Sequence, residues 1–278
     1  MTTVAEALRE AARRLEAMSD TARLDAELLM AEALGVSRSE LLLRRSGDSA
    51  PFGFEPLVVR RLAHEPVAQI LGRKEFYGRK FLVGRDVLTP RADSETVISA
   101  ALEACPAATR ILDCGTGSGA LLLTLLAETP ASTGVGIDRS PEALAVAADN
   151  AERLGLTARS DLRLADWRQP AWAEALDPFD LLVANPPYVE ATAELPRSVR
   201  DYEPAGALYA GPDGLDDYRV LVPQLPALLG AEGVAVLEIG ATQAKAVGSI
   251  AASAGFHSEL RRDLAGRPRA LILRKSCD

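Results

Sequence analysis

The chain opens on an apolar stripe with helical spacing. Val4, Ala5, Leu8, Ala11, Ala12 and Leu15 recur three and four positions apart, which puts them on one helical face. Ser19-Asp20 interrupts the stripe. Leu24, Leu28, Leu29, Ala31 and Leu34 form a second one, ended by Gly35. Ser37 or Ser39 can cap a short helix over 40–44, and residues 57–63 and 66–71 read as a helix and a turn. Residues 1–71 are therefore expected to form a small helical bundle. From 72 to 90 the pattern changes. Gly72, Gly78 and Gly84 punctuate two short runs, 74–77 and 80–83, which predicts a β-hairpin linker. Residues 89–95 lead into a helix for which Asp93 or Ser94 is the expected N-cap.

Beyond residue 108 strand and helix alternate. Strands are expected over 110–114, 133–138, 162–164, 179–184 and 234–239, and helices over 120–128, 141–154 and 241–254. Pro141 suits the first position of its helix. A polar insert spans 189–216, an irregular helix with Pro223 and Pro226 spans 218–229, and two last strands fall near 257–261 and 270–274. Such alternation predicts a mostly parallel sheet with helices on both faces, an α/β fold over 91–278.

Composition narrows the function classes. At 278 residues the chain can bury a sizeable core as one large or two modest domains. No apolar run reaches about 18 residues, so no membrane span is expected, and the first residues do not read as a secretory leader. A net charge of −8 argues against a duplex-DNA surface. Cys105, Cys114 and Cys277 lack zinc spacing and only His64 and His257 occur, so no metal is expected and a reduced, cytoplasmic protein is the simplest reading. Cys114 reads as a small core residue at a strand end.

The candidate chemistry lies at strand ends, where ligands bind in open α/β sheets. Gly115-Thr116-Gly117-Ser118-Gly119 follows the strand ending at Cys114 and lets a ligand approach the backbone. Its spacing is not that of the dinucleotide fingerprint. Asp138 ends the next strand, where a carboxylate can accept from ribose hydroxyls. Asp166-Trp167 follows the third, an acceptor for an exocyclic amine beside a ring that can pack on a purine. Asn185-Pro186-Pro187-Tyr188 follows the fourth. Its prolines fix φ and push the residue before each into extended backbone, so the carbonyls of Asn185 and Pro186 point in set directions. That arrangement suits holding a planar amino group against Tyr188. A glycine turn, a capping aspartate and a Pro-Pro stop each have plain structural readings, but in this order they describe an adenosine site, and the last motif selects S-adenosylmethionine over a nicotinamide cofactor.

These residues resemble the amino-methylating class of S-adenosylmethionine-dependent methyltransferases. Further stretches resemble the peptide chain release factor glutamine methyltransferases (the PrmC/HemK family): Glu65 to Gly72 with Glu75-Phe76-Tyr77, Thr89 to Glu95, Tyr202-Glu203-Pro204, Ala207-Leu208, Gly211 to Tyr218, and Asp263 to Arg267. Ala92 and Ser94 depart from that family's usual proline and threonine, while Arg91 and Glu95 match. The resemblance implies a seven-stranded Rossmann-like methyltransferase domain after a helical bundle, S-adenosylmethionine without a metal, and class I release factors as partners. It further implies that the glutamine of their Gly-Gly-Gln motif becomes N5-methylglutamine. The Asn185 side-chain oxygen and the Pro186 carbonyl would accept both amide N–H bonds, with Pro187 and Tyr188 completing the acceptor site. Arg91 and Glu95 would shape the methionine end or the acceptor mouth, or else be an ordinary solvated first turn, and Glu203 would order the insert. A monomer without nucleic-acid or membrane partner is expected. Methylation of a ribosomal-protein glutamine, adenine-N6 methylation of DNA, and a non-catalytic binding module are the rival readings.

Overall fold

The structure, a computed structural model, describes residues 2–276, so Cys277 lies outside the described residues. The chain divides into two units, Met1–Arg73 with Leu195–Tyr202, and Lys74–Glu194 with Glu203–Asp278.

In the first unit, helices α1 (Val4–Leu15), α2 (Ala22–Leu34), α3 (Arg38–Arg44), α4 (Phe54–Leu62) and α5 (Val67–Leu71) follow one another. Thr3 and Glu6 form a reciprocal capping box on α1, and Ser37, not Ser39, caps α3. Val4, Leu8, Ala11 and Leu15 bury their stripe as expected. α2 buries part of the stripe read from the sequence, Leu29 and Ala31, but not Leu24. It also buries Ala22, Ala26 and Met30. Small side chains on that face let α1 and α2 approach, and packing overrides the bulk of the residue. Asp25 lies buried against Arg61 at 2.8 Å and also accepts from Ser19 and Thr21, so the charge taken out of water keeps its partners. The Tyr202 hydroxyl donates to the Ala63 carbonyl oxygen at 2.8 Å, and the Gln69 amide donates to the Tyr202 carbonyl oxygen at 2.9 Å.

The second unit begins at Lys74, within the hairpin of β1 (Arg73–Phe76) and β2 (Arg79–Leu82), and continues to α6 (Glu95–Ala104). Neither Asp93 nor Ser94 caps α6 with its side chain: residues 92–94 form a 3₁₀ turn, and Asp93 instead pairs with Arg267 and Arg269. There follow β3 (Arg110–Cys114), α7 (Ala120–Glu128), β4 (Thr133–Asp138), α8 (Pro141–Arg153), β5 (Ser160–Leu164) and β6 (Phe179–Ala184). The insert then contributes α9 (Arg197–Arg200), which belongs to the first unit. After it come α10 (Asp216–Leu221), α11 (Leu225–Leu228), β7 (Leu229–Glu238), α12 (Ala244–Ser253), β8 (Phe256–Arg262) and β9 (Pro268–Lys275). The expected helix over 218–229 is broken into two by a 3₁₀ turn at Val222–Gln224 that contains Pro223. Pro223 has no amide hydrogen to continue the ladder.

The main sheet has seven strands in the order β5-β4-β3-β6-β7-β9-β8, parallel from β5 to β7 and antiparallel at β9 and β8. Period-two alternation sorts its side chains between two cores. Ile111, Leu181, Val183, Val236 and Ile272 face one layer, and Leu112, Leu182, Ala184, Leu237 and Leu271 face the other. The first layer is closed by α7, whose Leu122, Leu123, Leu125 and Leu126 are fully buried, and takes in Phe76 and Phe81 of the hairpin, edge to face at 6.1 Å. The insert is less polar than its composition suggests, for Leu208, Ala210 and Leu215 are buried. Among the described residues no helix is long and apolar enough to cross a membrane.

Candidate active site

β3, β4 and β6 are parallel neighbours, so their C-terminal ends lie together. A cleft opens there. Gly115 to Ser118, Asp138, Asp166, Trp167, Asn185 and Pro187 line it, with Phe76, Arg91 and Leu121. It thus brings together both aspartates and the glycine loop as far as Ser118, from three different strand ends, while Gly119 is outside the lining, with Leu123 of α7 over its Cα. Pro186 and Tyr188 do not line it. Pro186 is buried, and Tyr188 packs on the second core with its hydroxyl donating to Glu238 Oε1 at 3.3 Å.

The glycine loop is built for close approach. Gly115, Gly117 and Gly119 have φ of 78°, 55° and 80°, the left-handed region that other residues avoid. A Cβ on Gly115 would sit 3.1 Å from the Trp167 ring, whereas one on Gly117 would meet no protein atom within 4 Å. The first glycine therefore makes room for the indole and the second faces open space. The Gly117 amide donates to Asp138 Oδ2 and the Ser140 amide to its Oδ1, both at 2.9 Å. Each oxygen keeps further acceptor capacity. Trp167 Nε1 and Arg168 donate to the buried Asp217, which sets the indole on the cleft wall. Asp166 accepts from the Arg168 amide. These are the features a nucleoside-bearing cofactor requires: a bare backbone cradle, a carboxylate with free lone pairs and an aromatic wall.

Asp113, Asn150 and Glu238 were given no role by the sequence, whereas Thr116, Ser118, Arg91, Glu95 and Glu203 were. Asp113 is fully buried. Its Oδ2 accepts from Thr116 Oγ1 at 2.8 Å and the Leu122 amide at 3.3 Å, its Oδ1 has no partner, and burial pushes its carboxyl up to about 7. Thr116 and Ser118 are buried with it, so their side chains serve the loop's shape. Asn150 on α8 exchanges hydrogen bonds with both backbone groups of Leu82 and donates to the Ser118 carbonyl oxygen at 2.9 Å, which fastens the hairpin to the loop. A polar residue inside an otherwise apolar helix face was the available signal. Glu238, at the end of β7, is likewise buried and pushed up to about 7 by desolvation. Arg91 reaches Glu203 Oε2 at 2.6 Å, and Glu203 is almost wholly enclosed, its carboxyl raised by burial. Glu95 accepts from the Tyr77 amide and is outside the cleft lining.

Comparison with known proteins agrees with this geometry. Residues 6–72 match the PrmC N-terminal domain family, and residues 106–213 match a methyltransferase domain family. A release factor glutamine methyltransferase of Cereibacter sphaeroides is 44% identical over 277 residues, covering 97% of this chain and 98% of that protein. One of Moorella thermoacetica is 42% identical over 281 residues, covering 97% and 98%. Among solved structures, the ribosomal protein L11 methylase of Lactobacillus delbrueckii subsp. bulgaricus superposes with a TM-score of 0.51 at 21% identity, over 69% of this chain and 82% of that one, a likeness of fold. With near-complete coverage at this level of identity, the chain belongs to the release factor glutamine methyltransferase family.

Proposed function

We propose that this protein transfers a methyl group to the side-chain amide nitrogen of the glutamine in the Gly-Gly-Gln motif of class I peptide chain release factors. It would act in the cytoplasm as a monomer, without a nucleic-acid partner. The observation that carries the reading is Asn185 on the wall of the same cleft as the glycine loop, Asp138 and Trp167, in a chain of this family.

The residues divide the work. The backbone of Gly115 to Gly119 forms the cradle for the cofactor, Asp138 accepts from its ribose, and Asp166 and Trp167 take its base. S-adenosylmethionine, when bound there, supplies an electrophilic methyl group on sulfur. A glutamine amide is a poor nucleophile, because its lone pair is delocalised into the carbonyl. The Asn185 side-chain oxygen accepts from its N–H and fixes the nitrogen's orientation. Such positioning supplies several kcal/mol. This hydrogen bond strengthens as positive charge grows on the nitrogen, so it favours the transition state over the ground state. The N-alkylated cationic amide is strongly acidic and loses its proton to water. Pro186, Pro187 and Tyr188 keep Asn185 in place.

The test is methyl transfer to three acceptors: a class I release factor, the same factor with its Gly-Gly-Gln glutamine replaced, and duplex DNA. Label on the first alone is expected. Label on DNA or on the substituted factor would overturn the substrate. Asn185→Ala should lower kcat at least about 100-fold, the scale of one lost preorganised polar contact, while cofactor affinity stays near wild type.

A further inference from the structure

The tetrapeptide Asn185-Pro186-Pro187-Tyr188 is a stiff strut, since each proline fixes its own φ and restricts the residue before it. One end is set by β6, whose Ala184 pairs with Cys114 on one side and Leu237 on the other. At the other end the Tyr188 hydroxyl is tied to Glu238, and the Tyr188 carbonyl is held by a side chain outside the cleft. Gln243, in the turn before α12, donates from Nε2 to the Tyr188 carbonyl oxygen at 3.0 Å and to the Gly214 carbonyl oxygen at 3.1 Å. Its Oε1 accepts from the Gly240 amide at 3.0 Å. Both amide protons are thus committed to carbonyls from two separate loops, and the acceptor is anchored to the end of β7. The surroundings are shaped to the same contact. Gly214 has φ of +70°, and a Cβ there would lie 2.3 Å from the Tyr188 carbonyl oxygen. Beyond the strut, Val189 exchanges backbone hydrogen bonds with Leu208 and Ala210, so the insert closes over the same anchor.

We propose that Gln243 is the positioning residue of the strut: it fixes the Tyr188 carbonyl and, through the two prolines, the direction in which Asn185 presents its side-chain oxygen. The inference rests on the reading of Asn185 as the group that holds the acceptor amide. A glutamine that merely stapled loops would affect stability and cofactor binding along with turnover. A positioning glutamine lowers kcat far more than it lowers stability and leaves cofactor affinity in place, because a displacement of about 1 Å at the reacting geometry costs on the order of 100-fold in rate.

The experiment compares Gln243→Met, which keeps the volume and removes all three hydrogen bonds, with Gln243→Glu, which faces two carbonyls with a carboxylate. Asn185→Ala runs beside them. For each, kcat and KM with a class I release factor, S-adenosylhomocysteine affinity by calorimetry, and Tm are measured. The expected result is a fall in kcat of about 100-fold in both Gln243 variants, with KM and cofactor affinity near wild type, Tm lower by no more than the lost hydrogen bonds account for, and Asn185→Ala at least as impaired. If Asn185→Ala is impaired while both Gln243 variants turn over normally, the positioning role is wrong and the functional reading stands. Loss of Tm and cofactor affinity in step with turnover in both Gln243 variants reduces Gln243 to a staple and overturns the proposal. Wild-type turnover by Asn185→Ala overturns both.

Discussion

At the scale of single residues, buried carboxyls couple the molecule to pH. Asp113 holds the glycine loop through Thr116 and the Leu122 amide, yet burial lifts its pKa from 3.8 to about 7. A folded-state pKa above the unfolded value means the native state binds more protons between those limits, so stability falls as pH rises between about 4 and 7. Asp113→Asn removes that slope. The advantage of wild type over the variant should therefore shrink by on the order of 1–3 kcal/mol between pH 4 and pH 8. Parallel urea titrations of the two proteins would check it, and a pH-independent gap would mean that Asp113 does not titrate in that window. The Tyr188 hydroxyl, raised by desolvation, stays protonated and keeps donating to Glu238 through the neutral range.

At the scale of elements, the fit of α7 against the sheet carries the cleft. Gly134 on β4 has no side chain because Leu122 fills its place: a Cβ there would come within 2.5 Å of Leu122 Cδ1 and 3.4 Å of Leu126 Cδ2. Leu122 and Leu126 are fully buried in the packed layer. Gly134→Ala is expected to cost about 1–3 kcal/mol by overpacking, read as a lower urea midpoint. An unchanged midpoint would show that the layer repacks freely. Shifting α7 also moves the loop that precedes it, so cofactor affinity should fall with stability. The hairpin belongs to the same mechanical element, for Asn150 ties Leu82 to Ser118.

At the scale of the whole molecule, the notable feature is how the chain is shared out. The first unit is not a continuous N-terminal stretch, since Leu195–Tyr202 belongs to it. The segment that follows the Asn-Pro-Pro-Tyr motif is therefore part of the bundle's own packing. Tyr202→Phe removes the 2.8 Å hydrogen bond to the Ala63 carbonyl and should destabilise the first unit by about 0.5–1.5 kcal/mol. Faster amide exchange confined to residues 54–71 is the expected signature, and uniform exchange across the chain would contradict it. The net charge of −8 belongs to this scale too. A protein acceptor's methylation should change far less with added salt than binding to duplex DNA would.

What the sequence settled by itself was mostly periodic or local. Alternation along β3, β6 and β7 determined which side chains meet which core, because a strand's two faces are set by its pleat alone. Strand, glycine turn and helix at 110–128 were legible for the same reason, as was the Asn-Pro-Pro-Tyr strut, whose stiffness is covalent. Other features needed tertiary structure. Leu24 lost its expected burial to Ala22 and Ala26, since the distance between packed helices, not side-chain bulk, decides which face turns inward. Asp93 and Ser94 did not cap, because Arg267 and Arg269, far along the chain, claim Asp93. Asp113 acts within its own loop through Thr116 and Leu122, whereas Asn150, Glu238 and Gln243 sit in no compact motif of their own, and with Glu203 they matter through partners distant in sequence. Chain folding alone brings those partners within hydrogen-bond reach, and that reach of about 3 Å is what turns scattered polar residues into a site.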